Sequence, residues 1–322
     1  MSAQPCSHTV RHSRLRTALQ AGEFAVTAEI GPPRGADLGT VRESAALLRD
    51  WVHAANITDN QGAQVRVSSL AGSVAALAAG LEPVMQMTCR DRNRIALQSD
   101  LLAAGALGVP NLLLMTGDRP ERGDHADATP VFDLTSSGLM RAARALRDEG
   151  VLLSGHTVDP PPRFLLGAVD TGAGTPERLA AKVDDGAQFV QTQFVFDVPA
   201  FGAWLARVRD LGLDERCAIL AGVGPVRSVR ALEFIATVPG VAVPDALVRR
   251  LRGVPADRVA AEGMAACADT VAELRELPGV AGVHVMSVAY EQGVPEILAA
   301  AGLTPLPPAP STPPRTGPFP IL

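Results

Sequence analysis

Short apolar runs recur along this chain at a nearly constant interval, and that rhythm constrains the fold more than any other feature. The runs begin near Phe24 (FAVTAEI), His53 (HAANIT), Pro83 (PVMQMT), Asn111 (NLLLMT), Phe164 (FLLGAV), Phe189 (FVQTQF), Cys217 (CAILAG) and Ala281 (AGVHVMS). Successive starts lie 29, 30, 28, 53, 25, 28 and 64 residues apart. The shorter intervals each hold one strand, one loop and one helix. The runs are apolar nearly throughout, as strands are when both faces are covered. Eight such units predict an α/β fold, a (β/α)8 TIM barrel with insertions after strands 4 and 7, where the interval lengthens.

The segments between the runs read as helices. Residues 38–50, 92–105 and 135–148 carry apolar side chains at helical spacing. Thr175 and Pro176 read as the cap and first residue of a helix over 178–186, and Asp197 as the cap of one over 199–211. The second insertion holds two helical segments within 243–277. Residues 21–303 are expected to form the single barrel. Residues 1–20 have no apolar core and are expected to be a disordered arm, as is the Pro-rich tail 304–322.

Composition removes several function classes. Lys and Arg total 29 against 34 Asp and Glu, a net charge of −5, so a broad basic surface for nucleic acid is not expected. The richest apolar stretch, 70–87, is cut by Glu82 and Pro83, so no membrane span is expected. The N-terminus does not read as a secretory signal, which makes the expected location cytoplasmic. Cys6, Cys89, Cys217 and Cys267 are far apart, and His8 and His12 fall in the arm, so no metal site is expected. No Gly-x-Gly-x-x-Gly or Walker pattern follows a strand.

In barrels of this kind chemistry sits at the C-terminal ends of the strands. Strand one ends at Glu29, strand two at Asn56 and Thr58, with Asp59, Asn60 and Gln61 following. Strand three ends at Gln86, Thr88, Arg90 and Asp91, strand four at Thr116-Gly117-Asp118, strand six at Gln191 and Gln193, and strand eight at Ser287, before Tyr290 and Glu291. A carboxylate at Glu29, desolvated in the mouth, favours its protonated form and suits a general acid; a salt bridge to Arg34 is the structural alternative. Asp118 can accept hydrogen bonds from a ring edge bearing N–H groups and stabilise a developing cation, or simply form a Gly-Asp turn. Gln193 and Gln191 fall on one side of a buried strand, where each amide needs a partner.

Five of these segments, in this order, resemble the methylenetetrahydrofolate reductase family. They are Ala28-Glu29-Ile30-Gly31-Pro32-Pro33-Arg34, Asn56-Ile57-Thr58, Met115-Thr116-Gly117-Asp118-Arg119-Pro120, Gln191-Thr192-Gln193-Phe194-Val195-Phe196-Asp197 and Ala221-Gly222-Val223-Gly224-Pro225-Val226. The resemblance implies reduction of 5,10-methylenetetrahydrofolate to 5-methyltetrahydrofolate by NADH or NADPH. It implies that Glu29 protonates N10, that Asp118 binds the pterin edge, and that Gln193 contacts both pterin and nicotinamide. Thr58 falls near both ligands, Tyr290 on the substrate side, and Gln86 and Lys182 on the cofactor side.

The departures from the family pattern concern flavin. Flavin-holding members carry a tyrosine and a histidine after strand five, where this chain has Val169 and Ala173. Gln86 stands where a histidine is common, and Thr116 where many members have arginine. Lys182, the only lysine, aligns with a flavin-phosphate lysine. The pattern is similar to the flavin-independent branch, in which the nicotinamide reduces the folate directly and FAD is absent. The same reaction through FAD, and a folate-binding barrel without catalysis, are the alternatives. Small molecules are the expected partners, and a monomer or small homo-oligomer the expected state.

Overall fold

The computed structural model describes residues 13–238, 240–288 and 290–307. Its eight strands are β1 (Ala25–Ile30), β2 (Ala54–Ile57), β3 (Pro83–Thr88), β4 (Asn111–Met115), β5 (Leu165–Asp170), β6 (Phe189–Phe194), β7 (Ala218–Val223) and β8 (Gly282–Val285). Each starts within one residue of an apolar run. They close a barrel in sequence order, every pair parallel, with β8 returning to β1. Around it run α1 (Arg14–Ala21), α2 (Gly39–Leu48), α3 (Ser69–Ala78), α4 (Arg94–Ala106), α5 (Ser136–Asp148), α6 (Glu177–Asp185) and α7 (Val198–Asp210). After β7 come α8 (Val229–Ile235), α9 (Asp245–Arg252) and α10 (Val259–Arg275), and after β8 comes α11 (Val294–Ala300). The two helices expected within 243–277 are α9 and α10, and α8 precedes them in the same interval. Among the described residues no helix is long and apolar enough to cross a membrane.

The barrel interior is filled in layers. Ala25, Ala54, Val84, Leu113, Leu165, Phe189 and Leu220 pack together at the N-terminal end. Gly167 faces the Phe189 ring: a Cβ there would lie 2.2 Å from Cζ, so only glycine leaves room for this aromatic plug. Side chains two residues further along each strand form the next layer. That layer is polar, with Thr27, Asn56, Gln191 and His284 all buried. Outward-facing residues such as Val26, Ala28 and Ile30 pack under the helices.

Helix α1 closes the bottom of the barrel, and residues 13–20 of the expected disordered arm are ordered. Leu15 is fully buried and Ala18 nearly so, both against the lowest interior layer. The Glu82 carboxylate anchors the helix start, accepting from the Arg14 amide at 2.6 Å, the Leu15 amide at 3.2 Å and the Ser13 hydroxyl at 2.6 Å. Ser13 in turn caps the Arg16 amide. A carboxylate at a helix N-terminus meets free N–H groups and the positive end of the dipole. This anchor is tertiary, so the polar composition of the segment concealed it. Residues 1–12, with Cys6, His8 and His12, lie outside the described residues.

Beside this helix, residues 304–307 of the expected tail lie against the barrel. The Leu306 amide donates to the Asp50 carbonyl at 2.7 Å, and Arg14 reaches the Pro307 carbonyl at 2.9 Å. Residues 308–322 lie outside the described residues. Two helix caps divide. Asp197 caps α7 as read, accepting from the Ala200 amide at 2.9 Å. Thr175 does not cap α6, because Pro176 occupies the cap position and no side-chain bond forms there.

The plug makes a stability prediction. Leu15→Ala removes a fully buried side chain from a layer that strands on every side hold rigid, so unfolding stability should fall by about 2–4 kcal/mol. Urea unfolding measures it, and an unchanged midpoint would show that α1 does not seal the barrel.

Candidate active site

A hydrogen-bonded quartet forms the floor of the mouth. Asn56 Nδ2 donates to Gln191 Oε1 at 2.7 Å, and Gln191 Nε2 donates back to Asn56 Oδ1 at 3.0 Å. β2 and β6 are not sheet neighbours, so this pair spans the barrel interior. Gln191 Nε2 also donates to Thr27 Oγ1 at 3.2 Å. His284 places Nδ1 3.0 Å from Thr27 Oγ1 and Nε2 3.5 Å from Asn56 Nδ2. With the proton on Nδ1 the ring donates to Thr27 and accepts from Asn56, and the Thr27 hydroxyl is left to donate to the Val283 carbonyl at 3.4 Å. That assignment follows from the network, which it alone satisfies throughout. Burial pushes the His284 pKa down to about 3, so the ring is neutral. His53, the other histidine in a strand-bearing run, is instead held under β1, its Nδ1 accepting from the Val26 amide.

Glu29 stands one layer above this floor, beside Asn56 in register. It is half-buried: solvent reaches it through the mouth, and protein surrounds it elsewhere. Burial raises its pKa to about 7, reinforced by the charge of Glu291 and opposed by hydrogen bonds from Gln61 and Gln86. Gln61 Nε2 lies 3.2 Å from Glu29 Oε1. The expected alternative, a salt bridge to Arg34, does not form. Arg34 turns to Gln64 at 2.8 Å and to Asp124 at 3.7 Å.

The other sequence-predicted residues divide between open and engaged side chains. Thr58 is fully buried at the end of β2, and its hydroxyl has no hydrogen-bond partner among the described residues. Gln193 is half-buried where β6 loses its register against β7, between Gln191 and Phe194. Gln86 is buried at the end of β3. Asp118 is largely exposed, 3.6 Å from Arg122, and follows Gly117 in the left-handed region at φ +89°. Tyr290 is half-buried beneath the Arg227 guanidinium, 3.9 Å from the ring centroid. Lys182 on α6 turns back to β5, donating to the Asp170 carboxylate at 2.5 Å and the Val169 carbonyl at 2.7 Å.

Nearby polar residues serve structure. Asp59 accepts from the Thr88 amide and hydroxyl at 2.8 and 3.0 Å and pairs with Arg92. Among the described residues no group of three or more His, Cys, Asp or Glu side chains could hold a metal ion. Cys89, Cys217 and Cys267 are buried, and burial raises their thiols to about 11, 12 and 12, so none is a ready nucleophile.

The family model described as methylenetetrahydrofolate reductase matches residues 14–302, from the first residue of α1 to just beyond α11. The chain belongs to that family. A Caenorhabditis elegans probable methylenetetrahydrofolate reductase (NADPH) is 22% identical, over 94% of this chain and 46% of its own length. A 5,10-methylenetetrahydrofolate reductase of Pectobacterium carotovorum subsp. carotovorum is 23% identical, over 76% of this chain and 81% of its own. This chain therefore spans about half of the nematode relative and most of the bacterial one. An uncharacterized Clostridium thermocellum protein that binds two copies of 5-methyl-5,6,7,8-tetrahydrofolic acid shares the fold. Its TM-score is 0.58 at 15% identity, covering 90% of this chain and 98% of that one.

The raised Glu29 pKa has a stability consequence. The native state keeps this proton between the ordinary carboxylate value of 4.5 and about 7, while the unfolded chain has lost it. Stability therefore falls as pH rises through that window, by an amount on the order of 1–3 kcal/mol, and is level above it. Glu29→Gln removes the effect. Its melting temperature should exceed that of the parent above pH 7 and match it below about pH 4.5. Equal melting temperatures at pH 8 would show that the carboxyl is not desolvated.

Proposed function

We propose that this barrel reduces 5,10-methylenetetrahydrofolate to 5-methyltetrahydrofolate, taking the hydride directly from NADH or NADPH, with Glu29 as general acid. The observation that carries the reading is Glu29 itself, a carboxyl poised near pH 7 at a barrel mouth, in a chain of the reductase family. Such a group holds a proton at neutral pH and still releases it readily. Its proton goes to N10 of the folate. The bond from N10 to the bridging methylene carbon breaks with its electron pair on N10, and the N5 lone pair makes the iminium. Hydride added to that carbon completes the methyl group. Glu29 is left as carboxylate and regains a proton from solvent through the open mouth.

The remaining roles follow from placement. Asp118 presents an exposed carboxylate to the N–H edge of the pterin, where a charged acceptor makes the stronger bond, and its charge favours the iminium. Gln193 and the unpartnered Thr58 hydroxyl offer neutral hydrogen bonds, and a buried hydroxyl in a working site finds a partner in the ligand. Tyr290, steadied by Arg227, supplies the one tyrosine ring at the mouth.

The side chains at the end of β5 support the flavin-free reading. Val169 offers a small exposed apolar side chain. The Thr171 hydroxyl is bonded to the Ala173 carbonyl at 3.0 Å. The two cations bonded there are also engaged, Lys182 with Asp170 and Val169, Arg207 with the Gly174 carbonyl at 2.8 Å. In this reading Gln86 acts on Glu29, and Lys182 shapes the strand end. Without a hydride store, both substrates occupy the mouth together, with donor and acceptor carbons roughly 3–3.5 Å apart.

Glu29→Gln keeps the volume and cannot donate the proton. Its kcat/KM for methylenetetrahydrofolate should fall about 10²–10⁴-fold, and the decline in rate that the parent shows as pH rises through about 7 should be absent. Steady-state rates across pH measure both. Turnover near that of the parent would remove Glu29 from the role.

A further inference from the structure

We infer that Arg90 is the positioning residue of this mouth: its guanidinium clamps the loop after β2 to the loop after β4, and so fixes Gln61 on Glu29 and Asp118 toward the substrate in one frame. The inference rests on the reductase reading and adds a residue which that reading does not use.

Arg90 follows β3 and is only 3% exposed, unusual for a guanidinium. Each of its nitrogens is engaged. Nε and Nη2 take the two Asp91 oxygens at 2.7 and 2.8 Å, a bidentate pair that neutralises the charge. Nη2 also donates to the Asn60 carbonyl, and Nη1 to the Asp118 carbonyl, both at 3.2 Å. One planar group thus holds the backbone of both loops, from a backbone that is itself pinned: the Arg90 carbonyl accepts from the Val131 amide at 2.8 Å.

Both loops need holding. Asn60 sits in the left-handed region at φ 47°, and Ala63 at 55°, conformations that residues other than glycine rarely keep without support. Asn60 gains that support from Arg90 on its carbonyl, from Asp91 on its side chain at 3.3 Å, and from the Arg66 amide at 3.0 Å. Its neighbour Gln61 is the residue that reaches Glu29. On the other loop Gly117 lies against β3, where a Cβ would stand 2.9 Å from Thr88 Cβ and 3.4 Å from Arg90 Cβ. Asp118 leaves this contact with its carbonyl on Arg90, which directs its carboxylate outward. The Arg90 side chain bonds Asp91, Asn60 and Asp118 and not Glu29, so its part is geometric. The charged group that acts on Glu29 from elsewhere is Glu291, in the loop after β8.

Arg90→Lys tests the clamp, since lysine keeps the charge and cannot bridge a carboxylate and two carbonyls with one planar fork. The full chain should still unfold cooperatively. KM for methylenetetrahydrofolate should rise about tenfold or more while KM for the nicotinamide donor changes little. The decline in rate at high pH should move to higher pH, because Gln61 no longer favours the Glu29 carboxylate. A folded variant with the parent's folate KM and pH profile would overturn the inference. If Arg90→Lys does not fold, Arg90→Gln combined with Asp91→Asn takes its place: it removes both charges of the pair and cannot bridge the Asn60 and Asp118 carbonyls. It should show the same shift in pH profile, and a parental profile would overturn the clamp. Affinity for 5-methyltetrahydrofolate, measured by calorimetry on the parent and Arg90→Lys, reads the displacement of Asp118 without turnover. An inactive parent would thus refute the reductase reading, while the affinity ratio still decides for or against Arg90.

Discussion

The pair of hydrogen bonds between Asn56 and Gln191 across the barrel is the constraint on which the site depends. A closed eight-stranded barrel must fill its interior with side chains, and here the filling changes character part-way up. Below the pair lie Phe189 and aliphatic residues from alanine to leucine, sealed by Leu15 of α1. Above it stand Glu29 and the open mouth. Each buried amide or imidazole left without a partner would cost about 1–3 kcal/mol, so the polar layer is stable only as a closed set. Closure fixes the His284 tautomer and keeps the ring neutral. Protonating His284 at Nε2 would turn its acceptor for Asn56 into a second donor. The floor is therefore polar but uncharged, which leaves the carboxyl above it without a cation to hold it ionised.

That absence suits Glu29 to the part of acid proposed for it. A carboxylate paired with Arg34 would sit low and ionised, and would have no proton to give. The structure instead spends Arg34 on Asp124 and Gln64, Arg92 on Asp59, and Arg90 on Asp91 and two loop carbonyls. The arginines near the mouth assemble its loops, and Glu29 receives only neutral amides from Gln61 and Gln86. The second carboxylate, Asp118, is exposed on a loop and free to meet a ligand. Burial raises the Glu29 pKa to about 7, while Asp118 lies exposed on its loop, so the two carboxyls stand in different surroundings. The proposed ring-opening step needs an acid and then a counter-charge, and the proposal gives these parts to Glu29 and Asp118.

The strands were legible because parallel barrel strands are apolar over their whole length, and the repeat interval separates them cleanly. Mouth residues followed from the strand ends. What was not legible depended on contacts between distant segments. Helix α1 looks polar in sequence, and its order comes from Glu82, far along the chain. Thr175 looked like a cap, but Pro176 took that position. His284 carried no signal beyond lying in a strand, and its partners belong to β1 and β2. A polar residue inside an apolar run was the available clue: Thr27, Asn56, Gln191 and His284 each interrupt one. Arg90 appeared only as one of several polar residues after β3, and its role emerges once two loops are seen to end on it.

Direct transfer from nicotinamide to folate is the central claim, and the fate of the hydrogen tests it most directly. The purified chain would be given methylenetetrahydrofolate and a nicotinamide donor deuterated at the transferring position, in ordinary water, and the product methyl group examined by mass spectrometry. The account predicts 5-methyltetrahydrofolate carrying one deuterium per methyl group, with no loss to solvent. Product whose methyl has lost the label to water would mean that the hydride rests on an exchangeable carrier such as a flavin, and absence of the methyl product would contradict the reductase function itself.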